Sequence, residues 1–300
     1  MKRTPHLVQY QGSKRNLAPK ILNFFPNTFG RLIEPFAGSA AITIACASDK
    51  KTEHFVLNDL NKPLVDLLRT VIETPEYATK NYREIWTSQK YDSIEHYYQI
   101  REKFNRSKDP ICFLYLLARC VKGSVRYNSE GLFNQSPDKR RKGTSPSQME
   151  KNIYDISSLL KGKVEFYSLD YKIICNMALP GDIIYMDPPY QGVCGERDSR
   201  YFSGIEHDEF IEELEKLIKR GISFLVSYDG KCGNKIYGNG IPIKTGIKHI
   251  ELNAGRSSQS TLLGKNETTY ESLYVSKDLY QNNNILYKKQ EENELFKRVS

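Results

Sequence analysis

Asp182-Ile-Ile-Tyr-Met-Asp187-Pro-Pro-Tyr190 decides how this sequence is read. The apolar run after Asp182 has the pattern of a short buried strand. Asp187 to Tyr190 then falls at that strand's C-terminal end, where ligands bind in an open α/β sheet. Pro188 and Pro189 carry no N–H and stiffen the turn, so their carbonyls can face outward as acceptors. Asp187 adds a carboxylate and Tyr190 a flat ring. Together they suit a planar ring bearing an amine, which donates two hydrogen bonds while the ring stacks. An ordinary turn is the competing reading, since Asp-Pro pairs start turns.

Upstream, Arg31 to Ala37 reads as a strand and Ala40 to Ala47 as the helix after it. His54 to Leu57 is a second strand, ending at Asn58-Asp59 and followed by a helix to about Ile72. This strand–helix alternation predicts a parallel sheet. It stops from Tyr77 to about Cys120, where the pattern is helical and rich in aromatics and charge. Next comes Lys122-Gly-Ser-Val-Arg-Tyr-Asn-Ser-Glu-Gly-Leu-Phe-Asn134, whose Asn-Ser-Glu-Gly centre between β-prone residues predicts a hairpin. A basic loop, Asp138-Lys-Arg-Arg-Lys-Gly143, follows it.

Strands resume at Lys163 to Ser168, Asp182 to Met186 and Ile222 to Ser227, with extended segments near Ile241 to Leu252 and Tyr270 to Val275. His207 to Arg220 is a helix whose acidic start and basic end suit its dipole. The expected fold class is α/β, with a core from 1–74 and 151–280. An insertion, mainly helical and carrying the hairpin, occupies 75–150, and a polar tail 281–300.

The chain has 300 residues, with 44 basic against 36 acidic side chains and a formal charge of +8. That excess suits a polyanionic partner, because neutralised phosphates release counterions. No apolar run approaches the ~20 residues that span a bilayer, and the first residues lack the apolar stretch of a secretory signal. Six scattered cysteines form no close C-x-x-C pair, and five dispersed histidines suggest no metal. The expectation is a cytoplasmic, metal-free protein.

Glu34-Pro-Phe-Ala-Gly-Ser-Ala40 occupies the first strand-to-helix turn. Gly38 lets backbone approach a ligand, but G-x-G-x-x-G is absent, so a nucleoside without a pyrophosphate fits better than a dinucleotide. Asp59, about twenty residues on, stands where an acidic side chain accepts ribose hydroxyls. Asp170, at the end of the third strand, is placed to meet an adenine amine. In Gln9-Tyr-Gln-Gly-Ser-Lys14, Lys14 suits a carboxylate and the Tyr10 ring a cation. Each of these pieces alone also reads as an ordinary turn or a solvated strand end.

Their order is specific. Tyr10-Gln-Gly-Ser-Lys14, Glu34-Pro-Phe-Ala-Gly38, Asn58-Asp59, Arg126-Tyr-Asn through Phe133-Asn134 and Asp187-Pro-Pro-Tyr190 resemble the Dam-like family of S-adenosylmethionine-dependent DNA adenine methyltransferases. The resemblance runs from about Gln9 to Val275. It implies a Rossmann-like methyltransferase sheet with an inserted DNA-recognition domain. Tyr10, Lys14, Asp59 and Asp187 would bind S-adenosylmethionine, with Glu34, Phe36, Gly38 and Asp170 around it. Asp187, Pro188 and Tyr190 would form the adenine pocket. Two positions depart from the family: Tyr10 stands where Trp is frequent, and Ala40 where a second glycine is frequent. A methyl group at Ala40 could tighten the cofactor pocket, and its consequence is left open.

The segment around Arg126, Asn128 and Asn134 resembles the family's DNA-contacting hairpin. Arg and Asn can make bidentate contacts to guanine and adenine edges. Arg140, Arg141 and Lys142 suit phosphates, which position without specifying sequence. Arg256, in Gly255-Arg-Ser-Ser-Gln259, resembles a loop near the DNA. The implied partner is double-stranded DNA, with a cognate restriction endonuclease possible and no membrane. The implied reaction transfers a methyl group to N6 of an adenine flipped out of the duplex. The rivals are the same chemistry on cytosine N4 or RNA adenine, and a non-catalytic DNA-binding module. Asp187 favours adenine, since cytosine N4 enzymes resemble Ser-Pro-Pro-Tyr.

Overall fold

A computed structural model of the protein describes residues 4–89, 92–189, 205–232, 235–237, 240–242, 246–256 and 268–280. Tyr190, the end of the Gly255–Gln259 loop and the tail 281–300 lie outside the described residues.

The parallel strands are β1 (Arg31–Glu34), β2 (His54–Asn58), β3 (Val164–Tyr167), β4 (Ile183–Met186) and β5 (Ser223–Cys232). Then come β6 (Lys235–Tyr237), β7 (Ile247–Arg256) and β8 (Thr268–Ser276). The order across the sheet is β3-β2-β1-β4-β5-β8-β7, with β6 paired to β5. The chain steps outward from β1 to β3 and returns to β4 on the other side of β1. That reversal opens a crevice at the C-terminal ends of β1 and β4.

Period-two alternation sends side chains to two apolar layers. Leu32, Phe55, Leu57, Ile183, Tyr185 and Leu225 face one layer, and Ile33, Val56, Ile184, Met186, Phe224 and Val226 the other. All four residues of β4 are buried, which explains its unbroken apolar run. The second layer is closed by α8 (Tyr171–Asn176) and α9 (His207–Lys219), through Tyr171, Ile174, Phe210, Leu214 and Leu217. The first is closed by α1 (Ala18–Ile21), α2 (Ala41–Ser48), α3 (Lys62–Glu73) and α7 (Pro146–Leu160).

Between α3 and α7 lie α4 (Pro75–Ser88), α5 (Ser93–Ser107) and α6 (Pro110–Arg119), in the segment expected as an insertion. Every residue from Ile111 to Leu117 is buried, as expected of a helix that is apolar all round. The first layer's apolar cluster runs through α3 and α7 into these helices without a break. Phe104 stacks on Phe113 with centroids 4.7 Å apart, and Phe133 meets both edge-on.

Three differences from expectation have clear causes. The first strand stops at Glu34 instead of Ala37, because the Ala37 N–H turns to the Asn58 carbonyl at 2.8 Å. Helix α7 was not expected, although Ser145 caps its start, Pro146 opens it, and Met149, Ile153, Ile156 and Leu160 repeat at helical spacing. The segment expected as a hairpin reverses direction but forms isolated bridges, Tyr127 to Phe133 and Cys120 to Pro137. Two cross-chain bonds form, from the Asn128 N–H to the Leu132 carbonyl (2.9 Å) and from the Asn134 N–H to the Arg126 carbonyl (3.0 Å). The next rungs are lost because the Leu132 N–H goes to Asn128 Oδ1 and the Asn134 carbonyl accepts from Arg101. The residues just before this reversal bond to the N-terminal segment. The Gly123 carbonyl accepts the Gln11 N–H at 3.1 Å, and the Ser124 hydroxyl bonds to Gln11 Oε1.

Gly123 sits at φ +60°, and a Cβ there would come within 2.1 Å of the Gln9 carbonyl oxygen. Gly123→Ala should therefore cost roughly 2–4 kcal/mol, combining left-handed strain with overpacking. Denaturant unfolding checks this; an unchanged midpoint would show that the contact is not made.

Candidate active site

A cleft of about 270 Å³ opens where the switch in strand order predicts it. Its walls are Tyr10–Lys14, the turn after β1, Asn58–Asn61, Leu169–Lys172 and Asp187–Pro189. Tyr127 from the inserted segment closes one side.

The buried amide of Asn58 joins three of these walls. Its Nδ2 donates to the carbonyls of Pro35 (2.9 Å) and Leu169 (3.0 Å), and its Oδ1 accepts the Leu169 N–H (2.8 Å). Asp59 is fixed next to it. One carboxylate oxygen accepts the Gly38 N–H at 3.0 Å and the other the Asn61 N–H at 2.9 Å. Burial raises the Asp59 pKa, and the two N–H groups oppose that shift. Each oxygen retains acceptor capacity beyond its one backbone bond.

The turn after β1 explains the glycine pattern. Gly38 takes φ +50°, and a Cβ there would lie 3.5 Å from the Tyr10 ring. Ala40 takes φ +52°, a left-handed conformation that costs a non-glycine residue roughly 1–2 kcal/mol. Its methyl does not narrow the pocket: Ala40 is fully buried and does not line the cleft. Ala40 offers α2 no side-chain cap. Glu34 supplies one across the turn, accepting the Thr43 N–H at 2.7 Å.

Asp170 lines the cleft and caps α8, accepting the Lys172 N–H at 2.8 Å. Behind it Phe36 and Tyr171 form an aromatic wall with ring centroids 5.3 Å apart. Lys14, only 6% exposed, places Nζ 2.9 Å from Asp187 Oδ1 and 3.3 Å from Glu271 Oε2. Lys14 and Asp187, 173 residues apart in sequence, are thus brought together, and Glu271 of β8 joins them. Among the described residues, no group of three or more His, Cys, Asp or Glu is placed to hold a metal.

Beside the cleft, the inserted segment presents Arg126, Asn134, Arg140, Arg141 and Lys142 as exposed side chains. Asn128 is half-buried, and its Oδ1 accepts the N–H groups of Glu130 (3.1 Å) and Leu132 (2.8 Å). Its oxygen therefore shapes the turn. Buried side chains hold the basic loop from beneath. Arg119 donates to the Arg141 carbonyl at 2.7 Å, Gln89 to that of Lys142 at 3.2 Å, and Tyr82 to that of Thr144 at 2.6 Å. Arg256 ends β7, and its side chain lies outside the described residues.

Sequence reading did not single out Asn61, Tyr127 or Glu271. The Tyr127 hydroxyl donates to Asn61 Oδ1 at 3.0 Å, and the Asn61 N–H bonds to Asp59. A three-residue relay thus ties the inserted segment to the cleft. The available signal for Glu271 was a carboxylate at an alternate position to Leu273 and Val275, in the row that faces the core.

An α/β sheet with acceptors and aromatics at its switch point has the form of a ligand-binding crevice. Residues 10–293 match the family model for D12 class N6 adenine-specific DNA methyltransferase. The chain belongs to that family. It is 29% identical over 258 residues to a DNA adenine methylase of Haemophilus influenzae, covering 81% of this chain and 86% of that one. It is 28% identical over 237 residues to a DNA N-6-adenine-methyltransferase of Escherichia phage P1, covering 75% of this chain but only 30% of that longer protein. A Type II methyltransferase of Lactococcus lactis subsp. cremoris is 27% identical over 217 residues, covering 69% of this chain and 72% of that one.

Burial pushes the Glu34 carboxyl from 4.5 up to about 8; the Thr43 bonds oppose this and the Asp187 charge adds to it. An acid with a raised folded-state pKa binds a proton that the unfolded chain has already released. Its contribution to stability is complete below about pH 4.5 and is lost as pH rises to about 8. Glu34→Gln, which keeps an acceptor for Thr43, should remove this slope. The variant should gain up to a few kcal/mol on the parent between about pH 5 and about pH 8. Denaturation at both pH values reads the difference, and parallel profiles would contradict it.

Proposed function

We propose that this chain transfers the methyl group of S-adenosylmethionine to N6 of an adenine flipped out of duplex DNA. The observation that carries this reading is the place of Asp187. It directly follows β4 at the cleft, half-buried, its carboxylate held by Lys14.

The residues present suit the cofactor. The ionisable acceptor Asp59 fits a ribose diol, the Phe36–Tyr171 wall fits an adenine face, and Asp170 is within the same rim. The Tyr10 ring covers the turn at Gly38, where a cationic centre can pack. When bound, S-adenosylmethionine supplies an activated methyl group. Lys14 is engaged with two carboxylates, so its main proposed task is to hold Asp187.

Asp187 and the Pro188 carbonyl would accept the two amine hydrogens of the target adenine, and Tyr190 would stack on its ring. Those bonds turn the nitrogen lone pair toward the methyl donor. In-line displacement then depends on positioning more than on acid–base chemistry. Extrusion of the base puts the amine within reach, which an intact duplex does not allow. Arg126 and Asn134 would meet base edges, and Arg140, Arg141 and Lys142 the phosphates. A Dam-like or restriction–modification role follows, the latter supported by similarity to a Type II methyltransferase. In that role a cognate restriction endonuclease would cut the same unmethylated site. No helix among the described residues is long and apolar enough to cross a membrane.

Transfer of label from methyl-labelled S-adenosylmethionine to adenine in duplex DNA tests the reading directly. Asp187→Ala should fold normally and lower the rate by at least about 10²–10³-fold. Near-parental turnover in the folded variant would remove Asp187 from the reaction centre.

Arg126→Ala should relax sequence discrimination by about 1–3 kcal/mol if the side chain reads a base edge. Arg140→Ala should weaken all duplexes alike and make the salt dependence shallower by about one unit. Affinities for cognate and scrambled duplexes across a salt series separate the two. Equal losses on both duplexes in both variants would make Arg126 a backbone contact.

A further inference from the structure

We propose that Glu271 is a positioning residue for methyl transfer: it shares the Lys14 ammonium with Asp187 and so sets how strongly Asp187 accepts from the target amine. The inference rests on the function proposed above.

Strand β8 alternates, placing Leu273 and Val275 in the apolar layer beneath the cleft and Tyr274 in the opposite layer. Glu271 takes the next position in the Leu273–Val275 row, where another apolar residue would continue the core. A carboxylate there carries a desolvation cost that needs a partner. Its Oε2 is buried and makes no aligned hydrogen bond, yet lies 3.3 Å from Lys14 Nζ. The strand is shaped to bring it there. The β5–β8 register shifts between Ser227 and Gly230, so that Ser227 faces Leu273 while Gly230 faces Glu271. Bulges of this kind beside active sites re-aim side chains.

Lys14 therefore sits between two acids, at 2.9 Å from one and 3.3 Å from the other, and is almost fully enclosed. A lysine paired with Asp187 alone would concentrate its positive charge on the carboxylate that must accept the amine hydrogens. A second acid at Nζ divides that charge. It also fixes Nζ against swinging with the loop that carries Asp187, because β8 is anchored on both edges by β5 and β7. Asp187 is left oriented and a better acceptor. Glu271 touches neither reactant and acts through Lys14.

Glu271→Gln keeps the shape and removes the charge, and Glu271→Asp keeps the charge on a shorter arm. Single-turnover label transfer on duplex DNA, with both substrates saturating, reads the chemical step. Calorimetry on S-adenosylmethionine and binding of the same duplex read affinity. Glu271→Gln should slow transfer about 10- to 100-fold with both affinities nearly unchanged. Glu271→Asp should recover part of the rate, and both variants should unfold at or near the parental temperature. A parental rate in Glu271→Gln overturns the inference. So does a loss confined to binding, or an equal loss in Glu271→Asp and Glu271→Gln, since either makes the residue structural. If the parent itself labels no adenine, the proposed function fails first, so the two failures are told apart.

Discussion

Parallel strands end on backbone groups with no neighbour to bond, and the cleft exists because one buried amide answers three of them. Asn58 holds the carbonyl after β1 and both backbone groups of Leu169 after β3, while its own carbonyl takes the Ala37 N–H. Without it the segment carrying Asp170 would lose its side-chain link to the turn after β1. A side chain with two donors and an acceptor suits the task, and being buried it works without competition from water.

A second constraint is charge. Glu34, Asp59, Asp187 and Glu271 surround the base of the cleft, and Lys14 is the enclosed cation among them. Acids in a poorly hydrated place ionise at a cost: burial raises the pKa values of Glu34 and Asp59, and for Glu34 the Asp187 charge adds to it. The arrangement divides the work. Glu34 caps a helix from the protonated side of neutrality, Asp59 is steadied by two backbone N–H groups, and Asp187 keeps a cation.

The inserted segment obeys the same economy. Its basic loop is exposed at the side chains but rigidly held at the backbone, through Arg119, Gln89 and Tyr82 reaching up from the core. The relay from Tyr127 through Asn61 to Asp59 connects the proposed recognition surface to the proposed cofactor site. The aromatic richness of the insertion is chiefly packing: Tyr82, Tyr97, Tyr115, Phe104 and Phe113 are all buried.

By itself the sequence determined the α/β alternation, the place of Asp187 at a strand end, the glycine turn after the first strand and the family to which these belong. Those are local signals: apolar runs set strands, and glycine and proline punctuate turns. The sequence could not show which distant polar groups would share one buried space. The pairing of Lys14 with both Asp187 and Glu271 depends on strand order and on a bulge in β5. The cap that Glu34 lends to α2, and the turn that consumes the Asn128 oxygen, depend on backbone donors whose positions only folding fixes. The hairpin stops after two cross-chain bonds for a related reason: its next rungs are taken by side chains, the Leu132 N–H by the Asn128 oxygen and the Asn134 carbonyl by Arg101.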